Sequence, residues 1–383
     1  MVMTYRPILA GLGTLALSAS LASPARTAHP APARPEGLAD IHMTNPTVGW
    51  ATTGVHILRT TDGGVRWMDV TPQVRAVVAA GQPFPWAPRA QFLDATRAWV
   101  AQPVPAGPVP LWRTADGGRT WQAGGTLPAR YAASAFQLRF SDPRHGWALI
   151  EGGGMNSNAL ALFQTSDGGR RWVAVATRPP ISGLLGFRTA TTGWGTDEHT
   201  GGVPAGPAGA HTIYATQDGG RTWQAQALPS PIGYVGSVAS FGGGPSFATP
   251  RDGVLPVTLF FQDGQRASAL VLYATHDGGR TWRPTTPLRG GSDATAGVLD
   301  GHIGWALDGR AAYLTRDGGR HWQAIRSNVS LTYAYPVDVV TPRVVFALAG
   351  RFTAQGGRTT LLKTLDGGRT WALAQPLLLR RTG

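Results

Sequence analysis

The sequence predicts an all-β protein, a seven-bladed β-propeller whose blades are four-stranded antiparallel sheets. Three observations predict it. An eight-residue pattern, Thr-x-Asp-Gly-Gly-x-x-Trp, occurs seven times in 383 residues. An upstream pattern, an apolar residue, a polar turn and then Gly-Trp or a substitute, accompanies every copy. Glycine (52) and proline (30) are abundant while charged residues are only 14%, a composition that favours turns and short strands over long helices.

The amino terminus predicts export. Residues 8–22 are apolar but too few to span a membrane, and Ser20 to Ala22 supply the small residues that a signal peptidase reads. We expect a signal peptide over 1–22, an Ala/Pro-rich linker over 23–37 and the propeller over 38–383. The mature chain would then be secreted or held in the cell envelope, with no integral membrane segment. An uncleaved membrane anchor is the alternative interpretation of the apolar stretch.

Each repeat of about 50 residues holds four short apolar runs separated by turns, which is typical of an antiparallel meander. In the third repeat the runs are FQLRF, WALI, LALFQT and RWVAVA. Seven such sheets, each packed between two neighbours, predict a radial propeller. We expect the first inner strand to begin near Leu38 and the last outer strand to end near Ala374. The ring should close by packing of blade seven on blade one, without strand exchange.

The repeated residues predict a structural role. An aspartate before Gly-Gly can accept hydrogen bonds from the amides of its own turn, while glycine adopts positive φ. The tryptophan five residues later then packs between sheets. The structural aspartates are Asp62, Asp116, Asp167, Asp218, Asp277, Asp317 and Asp366.

The sevenfold TxDGGxxW pattern, from about Leu38 to Ala374, resembles the Asp-box, or BNR, repeat of the WD40/YVTN/BNR-like superfamily. Similar repeats occur in sialidases, xyloglucan-cleaving glycosidases, sortilin-type receptors and photosystem II assembly and stability factors. A single propeller is closest in form to the assembly factors. The resemblance therefore implies a seven-bladed scaffold with a chaperone-like role in building a membrane complex.

Long blade-to-blade connections and the loops between strands two and three should share one face of the disc, and this loop-rich face is the predicted binding surface. We expect it to hold a protein or glycan partner. The predicted ligand-binding residues are Trp86, Arg89, Arg130, Tyr131, Tyr234, Tyr333 and Tyr335. The alternative is that these aromatic residues fill small cores within their own loops.

Arginines follow the Asp-Gly-Gly turn in six of seven repeats, and the formal net charge is +13. They would form a basic rim for an anionic partner, or they are solvated turn residues that pair locally. Nucleic acid is not an expected partner, because the chain has no recognition module. We expect a monomer without a cofactor.

Catalysis is the less favoured interpretation. Only three glutamates and no cysteine occur in the chain. The weak candidates for a sialidase-like or other glycoside hydrolase activity are Glu151, Asp197 and Glu198, in two neighbouring loops. His199 and His211 flank the same acidic loop and raise zinc binding as an alternative, but we expect no metal site.

Overall fold

A computed structural model of the chain describes residues 37–53, 56–72, 89–102, 108–128, 135–151, 159–197, 203–204, 209–263, 266–290, 295–308, 311–331, 334–353, 356–374 and 377–379. All the described residues lie in one compact unit, Glu36–Gly383. The predicted signal peptide and all of the predicted linker but Gly37 lie outside the described residues. No helix in the described part of the chain has the length and apolar character needed to cross a membrane.

Seven sheets follow one another along the chain and form a seven-bladed β-propeller, as the repeats predict. Within a blade the strands pair antiparallel in chain order, with variations in blades one and five. The strands of the first three blades are β1 (Asp40–Met43), β2 (Gly49–Thr52), β3 (Ile57–Thr60) and β4 (Arg66–Asp69); β5 (Arg89–Phe92), β6 (Ala98–Ala101), β7 (Val109–Thr114) and β8 (Gln122–Leu127); β9 (Ala135–Phe140), β10 (Gly146–Glu151), β11 (Ala159–Thr165) and β12 (Val173–Thr177). Blade four contains β13 (Leu185–Phe187), β14 (Gly193–Gly195), β16 (Ala210–Thr216) and β17 (Gln224–Pro229), with β15 (Val203–Pro204) between β14 and β16 in the chain. Blades five to seven contain β18 (Val238–Ser240), β19 (Ser246–Phe247), β20 (Gly253–Phe260), β21 (Ala269–Thr275), β22 (Arg283–Pro284) and β23 (Leu288–Arg289); β24 (Thr295–Val298), β25 (Gly304–Leu307), β26 (Ala312–Thr315) and β27 (Gln323–Ile325); β28 (Ala334–Val339), β29 (Val345–Thr353), β30 (Gly356–Thr364) and β31 (Ala372–Ala374).

Blade five has divided inner and outer strands. Its inner strand consists of β18 and β19, both paired with β20, and its outer strand consists of β22 and β23, both paired with β21. The segment Gly242 to Pro245 interrupts the inner strand and Pro287 the outer one, because glycine weakens a strand and proline cannot donate to its ladder. The short strand β15 pairs with β18 and so links blade four to blade five.

Blade seven packs on blade one, as expected, since Phe346, Leu348 and Leu361 share a core with Ile41 and Leu58. The ring also closes by strand addition, so the expectation that no strand is exchanged is wrong. A further strand, β32 (Leu377–Leu379), follows blade seven and pairs in parallel with β4 of blade one. Leu377 N donates to Val65 O at 3.2 Å. The physical reason is the free edge of β4, whose backbone groups gain partners from this segment. The N-terminal strand β1 stays in blade one, as expected.

The core lies between the blades. Tryptophans of the Gly-Trp pattern are buried, and three of them donate across the blade boundary to a carbonyl in the next Asp-Gly-Gly turn. Trp99, Trp147 and Trp194 donate from Nε1 to Gly168, Gly219 and Gly279, at 3.0, 2.9 and 3.3 Å. Trp99 also stacks on Phe140 of the next blade, with ring centroids 3.7 Å apart. These tryptophans therefore join neighbouring blades.

Candidate binding surfaces

Each blade places its strand one-to-two turn beside its Asp-Gly-Gly turn, and we call the surface that carries both the turn face. In all seven blades the first glycine amide donates to a carbonyl of the strand one-to-two turn, at 2.7–2.9 Å. The pairs are Gly63 to Thr47, Gly117 to Thr96, Gly168 to Arg144, Gly219 to Thr191, Gly278 to Arg251, Gly318 to His302 and Gly367 to Arg343. Because the strands are antiparallel, the remaining connections lie on the opposite, loop-rich face.

The Asp-Gly-Gly turns use their own carboxylates. In blade seven, Thr364 Oγ1 donates to Asp366 Oδ1 at 2.9 Å, Gly368 N donates to Thr364 Oγ1 at 2.8 Å, and Thr370 N donates to Asp366 Oδ1 at 3.0 Å. The same three bonds recur in the other six blades. Both glycines of every turn have positive φ, between 70° and 93°, which only glycine adopts readily. The turn aspartates thus hold the hairpins together.

These hydrogen bonds also keep the turn aspartates ionised. Donation from the Thr370 hydroxyl and amide holds the pKa of Asp366 at about 2. The pKa values of the other six turn aspartates are also lowered, by hydrogen bonds that outweigh the opposing effect of desolvation. A carboxylate with a low pKa that already accepts several hydrogen bonds is a poor proton donor. The geometry therefore favours a structural role for all seven.

The arginines after the turns are exposed on the turn face. Arg170, Arg221 and Arg369 each donate from Nη1 to the backbone carbonyl of the aspartate in their own turn, at 3.1, 2.8 and 3.4 Å. This is local pairing, but with a carbonyl rather than the carboxylate that the sequence suggested. The bonds involve one nitrogen of each guanidinium, so further donors remain directed at solvent. A basic rim that binds an anionic partner stays a prediction.

Polar side chains of the first strands bind the next blade. First strands of neighbouring blades contact one another, as strands nearest the axis of a ring do. Gln91 bonds both the amide and the carbonyl of Phe140, and Arg139 Nε donates to Leu185 O at 3.0 Å. The carboxylate of Asp338 accepts from Met43 N. These groups satisfy the open edge of the neighbouring inner strand, which would otherwise leave backbone groups unpaired.

Gln91, Arg139 and Asp338 occupy equivalent positions of their first strands, and every blade has one such position. We call the seven residues at these positions the axial ring. Each lies eight residues before the second-strand Trp, Val or Phe and opposite it in the antiparallel register. The members are His42, Gln91, Arg139, Gly186, Ser246, Gly297 and Asp338. Sequence reasoning missed the ring, although the constant spacing of eight was a signal that could have found it.

Two carboxyl groups near the axis have raised pKa values. Burial raises the pKa of Asp338 to about 6, against the effect of the Met43 amide. Asp40 reaches solvent, but the protein around it partly desolvates its carboxyl group and raises its pKa; it is also close enough to Asp338 for their charges to repel and to Arg139 for attraction. Burial lowers the pKa of His42. Acidic groups therefore gather where blade seven meets blade one.

Of the predicted ligand-binding residues, two have described side chains. Arg89 is the first residue of β5 and is exposed, at the loop-rich end of blade two. Tyr234 is only 4% exposed and stacks on Phe261, with centroids 5.9 Å apart. Its burial fits the alternative that loop aromatics fill local cores. Tyr335 lies in β28 with its side chain outside the description, and Trp86, Arg130, Tyr131 and Tyr333 lie outside the described residues.

The candidate catalytic carboxylates are only partly described. Glu151 ends β10 beside a register shift, and nothing is described of its side chain. Asp197 accepts a hydrogen bond from Ser182 Oγ at 2.9 Å. Glu198 and His199 lie outside the described residues. His211 is 1% exposed, with Nε2 at 3.3 Å from Ser237 Oγ, so burial and hydrogen bonding explain it without zinc. The described residues include no group of three or more metal-ligating side chains.

No family model matches the chain. Its sequence is 24% identical over 272 residues to the chloroplastic photosystem II stability/assembly factor HCF136 of Arabidopsis thaliana, covering 68% of this chain and 61% of the relative. It is 27% identical over 168 residues to the photosystem II assembly protein Ycf48 of Synechococcus, covering 43% of each. The chain thus spans less than two thirds of the length of either relative. It is a propeller that resembles these assembly factors.

Among solved structures, the GH74 enzyme of Niastella koreensis is similar, with 12% identity, coverage of 88% of this chain and 63% of that one, and a TM-score of 0.36. At this level the likeness says nothing about activity.

Proposed function

We propose that the chain is an exported, non-catalytic propeller scaffold that holds a protein partner on its loop-rich face. The observation that carries the proposal is the sequence similarity to two photosystem II assembly proteins. The turn geometry adds support, because the seven repeated carboxylates are all engaged within their own hairpins. The loop residues by themselves fit a protein or a glycan equally well. The similarity to assembly proteins favours a protein as the partner.

Arg89 and Asp40 indicate where such a partner would bind. Both are exposed and both begin the first strand of their blade, β5 and β1 respectively. First strands run toward the turn face, so their first residues lie at the loop-rich end of the ring axis. Trp86 precedes Arg89 by three residues. Tryptophan and arginine are both common at the centre of protein interfaces.

Affinity capture tests this face. The chain from residue 23 onward, tagged at its C-terminus, would be used to capture partners from envelope extract of the source organism, with identification by mass spectrometry. Arg89→Ala and Trp86→Ala should each remove the partner. Arg119→Ala is the matched control, since Arg119 is an exposed arginine of the same blade on the turn face, and it should retain the partner. Capture that persists in both loop-face variants would refute the assignment.

Export is tested separately. The full chain should appear outside the cytoplasm with its amino terminus beginning near Ser23, and amino-terminal sequencing of the fractionated protein measures this. A cytoplasmic chain that starts at Met1 would contradict it.

A glycoside hydrolase is the second candidate, and the axial carboxyls favour it more than the loop glutamates do. Asp338, with a pKa of about 6, and Asp40, with a raised pKa, interact electrostatically, and glycosidases use pairs of carboxyl groups as acid and base or nucleophile. If the chain hydrolyses any polysaccharide of a broad panel, Asp40→Asn and Asp338→Asn should each abolish the activity. Hydrolysis that survives both changes would exclude this pair.

A further inference from the structure

We propose that the junction of blades six and seven on the turn face binds a tetrahedral oxyanion ester, a phosphate or sulfate monoester with an apolar or sugar body. A cavity of about 250 Å³ lies at this junction. Three exposed arginines line it, Arg316 from blade six and Arg343 and Arg369 from blade seven. The site is on the opposite face from the proposed partner surface, so each proposal can be refuted without affecting the other.

The backbone holds two of these arginines on either side of one glycine. Gly367 N donates to Arg343 O at 2.9 Å, which fixes the Pro-Arg turn of blade seven against the Asp-Gly-Gly turn. Arg369 Nη1 donates to Asp366 O at 3.4 Å. Arg316 faces them from the strand end that precedes the turn of blade six. Arginines from two blades therefore line one cavity.

The internal repeats provide a control for this cluster. Every junction offers the same three positions: the residue before the turn aspartate of one blade, the strand one-to-two turn of the next blade, and the residue after its Asp-Gly-Gly. In the other junctions these positions hold Thr61, Thr96 and Arg119; Ala115, Arg144 and Arg170; Ser166, Thr191 and Arg221; Gln217, Arg251 and Arg280; His276, His302 and Arg320; and Leu365, Thr47 and Val65. Only the junction of blades six and seven has three arginines, so the repeat pattern alone does not account for them.

The remaining lining explains the choice of ligand. Leu314, Ile325 and Pro342 give the cavity an apolar wall, suited to the body of an ester. Asp366 is the one carboxylate among the described lining residues, and its oxygens accept from Thr364 and Thr370. Three guanidinium groups outweigh it in charge. Because each guanidinium presents a planar fork of donors, an anion with three terminal oxygens can accept from more of these forks at once than a carboxylate with two oxygens can.

Calorimetric titration of the full chain at low ionic strength and pH 8 tests the site, with phenyl phosphate, phenyl sulfate and benzoate as probes. At least one of the two esters should bind saturably at one site per chain. Arg316→Thr with Arg343→Thr installs the residues of the first junction, and it should weaken ester binding about tenfold or more, as expected for loss of charge-assisted hydrogen bonds. Arg251→Thr with Arg280→Thr is the matched control, because it removes the same charge from the junction of blades four and five, and it should change affinity by less than about threefold.

Equal weakening in both double variants would overturn the proposal, since it would indicate a diffuse basic field rather than a site. The absence of saturable ester binding, or benzoate binding as tight as that of either ester, would also overturn it. Tighter binding of phenyl phosphate assigns phosphomonoesters to the site, tighter binding of phenyl sulfate assigns sulfate esters, and equal binding assigns both. Unchanged thermal unfolding of the two variants confirms that any loss is local.

Discussion

Asp338→Asn is expected to stabilise the protein at pH 8. Burial raises the pKa of Asp338 from its ordinary 3.8 to about 6, so the folded protein binds this proton more tightly than the unfolded chain. Since one pKa unit corresponds to about 1.4 kcal/mol, the ionised carboxylate costs the fold about 3 kcal/mol. The cost is complete above pH 6 and fades as the pH falls toward 3.8. An asparagine carries no charge, and its carbonyl oxygen can still accept from Met43 N.

Urea unfolding followed by tryptophan fluorescence measures this effect, with variant and wild type compared at pH 8 and at pH 4. The variant's gain in unfolding free energy should approach about 3 kcal/mol at pH 8 and fall below about 1 kcal/mol at pH 4. Asp338→Ala is the control. It also removes the charge but leaves the Met43 amide without its acceptor, so it should be less stable than Asp338→Asn by about 1–3 kcal/mol. If Asp338→Asn were destabilised at pH 8, or if its gain in unfolding free energy did not depend on pH, the proposed cost of the ionised Asp338 carboxylate would be refuted.

Three further predictions concern the turns and the last strand. Gly279→Ala should cost about 1–3 kcal/mol of unfolding free energy, because the residue has φ +83° and an added Cβ would meet Trp194 at 2.3 Å. Gly233 has φ +85° and nothing within 4 Å of an added Cβ, so Gly233→Ala should lose less unfolding free energy than Gly279→Ala. Thermal unfolding of both variants measures this, and equal losses of stability would contradict a role for the Trp194 contact. The turn aspartates have lowered pKa values, so their stabilisation is present above about pH 4 and is lost as the pH falls toward 2. Near-UV circular dichroism should show tertiary structure lost over that range, and a signal unchanged at pH 2 would be the opposite result. Truncation after Ala374 should lower the melting temperature and speed amide exchange along β4, and exchange that does not change would show that β32 adds nothing.

The sequence predicted the repeated parts of the molecule well, because their physics is local. An aspartate, two glycines and a threonine within six residues are enough to define a turn, and seven copies are enough to define a ring. Tertiary packing decided the rest. The sequence around Tyr234 does not show that this residue packs on Phe261. Likewise, the three leucines of β32 do not show from sequence that they pair with β4 of blade one.

The candidate site divides in the same way. The arginines after the turns were visible as a repeated pattern, but the cluster of Arg316, Arg343 and Arg369 combines residues from three separate segments, and it emerges only when blades six and seven are side by side. The axial ring was missed for a different reason. Its members share a position and not a residue type, so a search for similar residues passes over them, whereas a search by spacing from the second-strand tryptophan would have found them.

The parallel strand β32 gives the ring an order of completion. Leu377 pairs with Arg66, and these two residues are 311 positions apart in the chain. During synthesis β4 can form with its own blade early, but its outer edge has to wait for nearly the whole propeller to emerge before this partner arrives. Until then blade one presents a free strand edge, the kind of surface that pairs with other chains. A chain stopped short of residue 377 would keep that edge permanently, so incomplete copies of this protein should be more prone to associate than finished ones.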